Sequence, residues 1–470
     1  MRTGWTRAGS LAVIVLALIV PRAAAQDARS TASANPYRPN TADEDWTFLK
    51  TAPKTDWWDP IKYIPLGPED WSLTLGGELR LRPEAFRIRE TAAKPGTIDS
   101  YLLQRYLFSA DLRFGRRIRV FGEAQSGVIN GKLQSPRPSD QNPLDLHQAF
   151  FELRQPVRQN DEIRVTVGRQ ELEIGSTRLI SASPGLNVKR SFDGMGVAYR
   201  TASWVVAGAA ARLVDLGTGA FDDRPDAGQL FWGVAAGRPA SVPGYGRSEV
   251  GVYYLGIDRR AAVYAQGTGP ETRHTVGAKW KGGRRLDVNH DLLLQWGHFA
   301  DAPIRAWAYA TETGYRADRA WQPRFSIRFD IASGDAAAGE PALQSFDPLF
   351  PGNAYSGAVG LFGPTNLTDL TPTFTVTPRP GLVFGIEAPS YWRTSTGDGL
   401  YTTDLRVLLG PDVGSGKYVG MNPGVVAIWQ ATRHLQLLGV ASRFLSGGFL
   451  ADTFVAEGFG FYSFTARYRF

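Results

Sequence analysis

The sequence predicts an all-β protein: a single transmembrane antiparallel β-barrel of about 16 to 18 strands. Three observations carry this. Short segments with a two-residue apolar period run on for about 400 residues without a helical pattern, more than one soluble sandwich uses. The polar face of these segments carries charges in mid-strand, which a wet lumen tolerates when the apolar face meets lipid. The last segment alternates and ends on an aromatic carboxy-terminus.

The chain has 470 residues, 52 Gly, 30 Pro and no Cys, with aromatics at 12% and a formal net charge of +7. Without Cys there are no disulfides, thiolate metal sites or cysteine nucleophiles. The positive charge is spread out and forms no basic block, which argues against a nucleic-acid partner.

Taken in order, residues 1–25 read as a signal peptide. Arg2 and Arg7 form the positive region, Leu11 to Val20 the apolar core, and Ala23 to Ala25 the small residues before a cleavage at Gln26. No later stretch reads as a spanning helix, which leaves a soluble protein or a closed barrel. Residues 26–70 lack alternation and contain Trp46, Trp57 and Trp58. This segment is expected on the periplasmic side or in the barrel mouth.

The barrel is expected over 71–470. Leu73, Leu75, Leu79 and Leu81 oppose Thr74, Glu78, Arg80 and Arg82. Tyr106, Phe108 and Leu112 oppose Arg105, Ser109, Asp111 and Arg113. Ile118 and Val120 oppose Arg117, Arg119 and Glu123, and Val276 and Trp280 oppose Thr275, Lys279 and Lys281. Phe325, Ile327 and Phe329 oppose Arg324, Ser326, Arg328 and Asp330. Tyr462, Phe464, Tyr468 and Phe470 oppose Ser463, Thr465, Arg467 and Arg469. At about 22 residues per strand and turn, roughly 16 to 18 strands fit, and bacterial barrels favour even numbers. Residues 126–144, 216–229, 334–373 and 389–404 lack alternation and read as long external loops.

Residues 164–200 form the most charged stretch. Ile163, Val165 and Val167 mark a strand, Gly168, Gly175, Pro184 and Gly185 break the pattern, and Met195 to Arg200 mark a second strand. Arg164, Arg169, Arg178, Lys189, Arg190 and Arg200 stand against Glu171, Glu173 and Asp193, a cationic excess. Glu171 and Glu173 could suggest a glycosidase pair. Their spacing, beside Arg169 and Arg178, reads better as ion pairing.

Several blocks resemble a known family. They are DPIKYIPLGPEDWSLTLGGELRLRPE from Asp59, VGRQELEIGSTRLI from Val167, VKRSFDGM from Val188, ASGD from Ala332 and FDPLFP from Phe346. In this order they resemble the alginate export family of outer-membrane proteins. The resemblance implies a monomeric, 18-stranded barrel with an electropositive pore for a polyuronate. It also implies that Arg80, Arg82, Arg169, Glu171, Arg178, Arg190 and Asp193 shape that pore. Arg324 and Arg328 precede ASGD on the lumen parity, and Arg467 and Arg469 follow from parity alone.

The expected function is passive diffusion of anionic saccharides, alginate or another polyuronate-like solute, through this arginine-lined pore. The expected partners are that anionic polysaccharide or a small anionic solute, outer-membrane lipid and the barrel assembly machinery. A general anion-preferring porin for small organic acids or sugars, and a plugged barrel with an adhesive role, are the alternatives. The five His show no metal-binding spacing and no nucleophile elbow is present, so no cofactor, no metal and no enzymatic activity are expected.

Overall fold

The computed structural model describes residues 35–67, 70–88, 98–133, 135–158, 161–174, 178–337, 341–352, 359–414, 416–451 and 458–470. The signal peptide expected at 1–25 lies outside them, as do Gly175 to Thr177 of the charged stretch.

The architecture is an 18-stranded closed antiparallel barrel. In our numbering the strands are β1 (Ser72–Ile88), β2 (Ile98–Phe114), β3 (Ile118–Asn130), β4 (Asn142–Arg158), β5 (Asp161–Gln170), β6 (Phe192–Arg200), β7 (Val205–Asp215), β8 (Gln229–Val242) and β9 (Gly246–Tyr264). They continue as β10 (Gly267–Gly283), β11 (Leu286–Phe299), β12 (Ala302–Arg316), β13 (Arg324–Ala332) and β14 (Leu367–Arg379). Two strands are interrupted: β15 (Leu382–Glu387, then Ser390–Arg393) and β16 (Tyr418–Met421, then Gly424–Gln430). β17 (Leu435–Ser446) and β18 (Phe459–Arg469) complete the wall. Each strand pairs with its sequence neighbour, and β18 pairs with β1, so no edge is left open. Backbone bonds between Gly77 and the carboxy-terminal Phe470, at 2.9 and 3.1 Å, extend this seam.

The parity is as the alternation predicts. Leu79, Tyr106, Phe108, Phe325, Ile327, Tyr462 and Phe464 are exposed on the outside, whereas Arg80, Arg105, Ser109 and Ser326 are buried inside. One end of the barrel has short turns, such as residues 380–381 and 243–245, together with the carboxy-terminus. By the usual arrangement this end is periplasmic. The other end carries the longer connections, including 171–191, 333–366 and 394–417.

Several sequence boundaries are corrected. β5 runs through Gly168 to Gln170; the glycine does not break it. Its φ is +128°, and a Cβ there would lie 2.3 Å from the Ala149 carbonyl oxygen, so the close approach of β4 requires glycine. Leu367 to Thr373, expected as loop, belongs to β14, and Ser390 to Arg393 belongs to β15. Ser126 to Asn130 and Asn142 to Leu144 are likewise strand.

Two long connections fold into the lumen. Residues 171–191 and 333–366 meet through the Ile180–Phe350 bridge. Beneath them the inward side chains of the wall are small or apolar: Ala209, Ala211, Phe231, Leu255, Ile257, Ala306 and Ala308 form one core with Leu179, Phe346 and Phe350. The inward loops pack against this part of the wall. At the short-turn end, residues 35–67 pack into the mouth. Ala42 contacts Phe121 and Phe150, Trp58 Nε1 donates to Tyr468 Oη at 2.8 Å, and Lys62 Nζ donates to the Phe470 carbonyl oxygen at 2.7 Å.

Candidate functional site: the charged lumen

The polar half of the lumen centres on the β18–β1–β2 seam. Strand register places Arg467 opposite Arg80, and Arg80 opposite Arg105. Like charges directly opposed across strands repel, so such a row needs compensation. Part of it comes from Glu78, whose Oε1 accepts from Arg105 Nε at 3.0 Å and whose Oε2 lies 3.2 Å from Arg469 Nε and 3.5 Å from Arg467 Nε. Glu84 pairs with Arg82 at 3.0 Å. The rest is neutral. Arg80 donates to the Pro184, Gly185 and Leu186 carbonyls at 3.2, 3.2 and 2.8 Å, and to Asn187 Oδ1 at 3.0 Å. Arg105 donates to Pro184 and Leu186 at 3.0 and 2.9 Å, and Arg82 to Gly185 at 2.5 Å. Carbonyls satisfy guanidinium donors without cancelling their charge. Five arginines thus face two glutamates, a local excess of positive charge.

These contacts fix the loop 171–191 across the barrel. On the far wall, Arg178 Nη1 reaches Asp291 of β11 at 2.9 Å and the Ala310 carbonyl at 3.1 Å. Arg190 Nη1 donates to the Ser181, Phe350 and Pro351 carbonyls at 3.1, 2.7 and 3.1 Å, and so ties the two inward loops together. Burial pushes the Arg190 guanidinium down to about 10, which still leaves it charged at neutral pH. Arg259 and Arg273, from β9 and β10, hold Asp347 of the second loop.

The predicted residues therefore divide. Arg80, Arg82, Arg467 and Arg469 come together in one wall, and Arg105, not singled out from the sequence, belongs with them. Arg178 and Arg190 anchor the inward loop; Arg178 is 5% exposed, and Arg80 and Arg105 beneath the same loop are each 1% exposed. Arg169 makes a bidentate pair with Asp193 at 2.8 and 2.9 Å. Glu171 does not brace Arg169 or Arg178, as its spacing suggested. It pairs with Lys189 and lies 2.9 Å from His147 Nε2. Burial works against its charge, but Lys189 and His147 outweigh this and hold it at about 2. Arg324 faces Asp287 and Glu312 at 2.6 and 2.7 Å, and Arg328 faces Asp369 at 3.1 Å and Asp330 at 3.5 Å. That second patch is balanced by carboxylates and carries no cationic excess. Parity found the inward arginines; nothing local in the sequence showed which would meet a loop 100 residues away.

A closed 18-stranded barrel with lipid-facing apolar residues, a polar lumen and inward-folded loops defines an outer-membrane channel protein. Residues 71–457 match the alginate export family, and the chain belongs to it. No curated protein matches the chain. Among solved structures it is similar to OpdQ of Pseudomonas aeruginosa, with 11% identity over 85% of this chain and 97% of that one, at a TM-score of 0.56. It is similar to a BenF-like porin from Pseudomonas fluorescens Pf-5, with 11% identity, coverage of 84% and 98%, and a TM-score of 0.55. It is also similar to OccK11 (OpdR) of Pseudomonas aeruginosa, with 14% identity, coverage of 85% and 96%, and a TM-score of 0.52. At such identities the likeness concerns the fold.

Proposed function

We propose that the protein passes carboxylate-bearing saccharides, of the polyuronate kind, along the β18–β1–β2 wall by passive diffusion. The observation that carries this is the positive seam, where Arg467, Arg80 and Arg105 stand in register and five arginines meet two glutamates, with Arg80 and Arg105 buried beneath residues 184–187 and Arg467 and Arg469 left partly exposed. A guanidinium row matches regularly spaced carboxylates. Several weak sites in series favour conduction over trapping. Arg467 and Arg469 keep side-chain exposures of 21% and 18%, enough to touch a passing solute. Residues 184–187 cover Arg80 and Arg105, so a solute meets this wall at Arg467 and Arg469.

The test is current block in planar bilayers by an oligouronate against a neutral oligosaccharide of equal length. Stronger block by the uronate, reduced in the Arg467→Gln/Arg469→Gln double variant, is the expected result. Equal block by both sugars counts against the reading. A second reading, a plugged barrel whose loops bind a partner, is favoured by one observation: residues 35–67 pack in the short-turn mouth. A wild-type barrel without measurable conductance would select it.

A further inference from the structure

The connection between β7 and β8 folds onto the start of β4 and brings three aspartates together. Carboxylate oxygens of Asp145, Asp222 and Asp223 lie within 4.8 Å of one another. Two ligands on opposite sides of a calcium ion stand about 4.8 Å apart, twice a typical Ca–O distance. Asn142, on β4, is 1% exposed, and its carboxamide is turned toward this group: Nδ2 lies 2.9 Å from each oxygen of Asp223. The other arm of the same amide, Oδ1, is buried and has no partner, and so has Asp222 Oδ1. A half-turn of the amide exchanges donor for acceptor at the same place. The group then offers four side-chain oxygens from two segments and no nitrogen or sulfur.

The charge is unbalanced. Arg169 is the cation nearest these carboxylates, 3.6 Å from Asp145, and it is already committed to Asp193. The Gly217 amide donates to Asp223 Oδ1 at 2.8 Å, and the Asp223 amide donates to Asp145 Oδ2 at 3.0 Å. The other cluster of this kind, Glu123, His147 and Glu171, differs because the Lys189 ammonium already sits on Glu171.

We propose that Asn142, Asp145, Asp222 and Asp223 form a calcium site that clamps the 216–228 loop to the top of β4. Oxygen-only ligands with three carboxylates suit a hard cation, and the all-protein ligand set suits calcium over magnesium, which keeps more of its water. The spacing hid the site from the sequence, because its ligands lie about 80 residues apart and adjoin no recognisable loop motif.

The test is isothermal titration calorimetry with calcium chloride. The mature chain is refolded into detergent without lipopolysaccharide and stripped with a chelator. One calcium per chain in the wild type, with magnesium bound at least ten-fold more weakly, is the expected result. Asp222→Asn/Asp223→Asn should abolish binding, and Asn142→Ala should weaken it about 10- to 100-fold. Heat-modifiable migration shows that each variant has folded. No calcium binding by the folded wild type, or unchanged affinity in the folded double variant, would overturn the proposal.

Discussion

At the residue scale, arginines in this lumen do two different things. Some are anchors whose charge is consumed by a partner. Arg178 and Asp291 are the clearest pair, both buried and 2.9 Å apart. Arg178→Ala leaves Asp291 buried without its cation, and removing one partner of such a pair costs about 3–5 kcal/mol. The inward loop should loosen, with noisier and larger single-channel currents than the wild type. Arg178→Met/Asp291→Asn should recover part of the quiet state, and a quiet Arg178→Ala channel would refute the anchoring role. Others keep their charge, because the Pro184 to Leu186 carbonyls accept their bonds without neutralising them. Alternation alone was enough to place Arg80, Arg82, Arg467 and Arg469 inside. It could not separate carrier from anchor, since Arg80 and Gly185 are joined only by the closed barrel.

At the element scale, the strands were legible wherever lipid-facing apolar residues alternate with lumen residues. They were not legible where proline interrupts. β14 was missed because Pro372 lies in its middle; the strand tolerates it where the neighbouring strand breaks at Ala388 and Pro389. The inward loops were unreadable as plugs because their fit depends on the alanines of β7 and β12, far away in sequence. The face assignment itself is testable. Ile327 is 42% exposed on the outside of β13, and Thr373 of β14 faces in, next to Glu387. Ile327→Arg should cost roughly 2–4 kcal/mol near the bilayer midplane, and Thr373→Arg far less. Denaturant titration of refolded protein measures both, and equal penalties would refute the parity. Ser326, the lumen-facing neighbour of Ile327, is 2% exposed beneath Arg324 and leaves no room for an arginine.

At the scale of the whole molecule, the lumen is asymmetric. Apolar residues of β7 to β12 pack beneath residues 171–191 and 333–366, and residues 184–187 also lie on Arg80 and Arg105 at the cationic seam where the barrel closes. A fixed positive row in a narrow, poorly screened passage raises the local concentration of anions and lowers that of cations. The net charge of +7 says little about this, because the sign at the seam arises from five arginines against two glutamates. The reversal potential under a salt gradient in planar bilayers reads that sign directly. An anion-preferring wild type, with the preference reduced in Arg467→Gln/Arg469→Gln, is the expected result. A wild-type channel that prefers cations would contradict it.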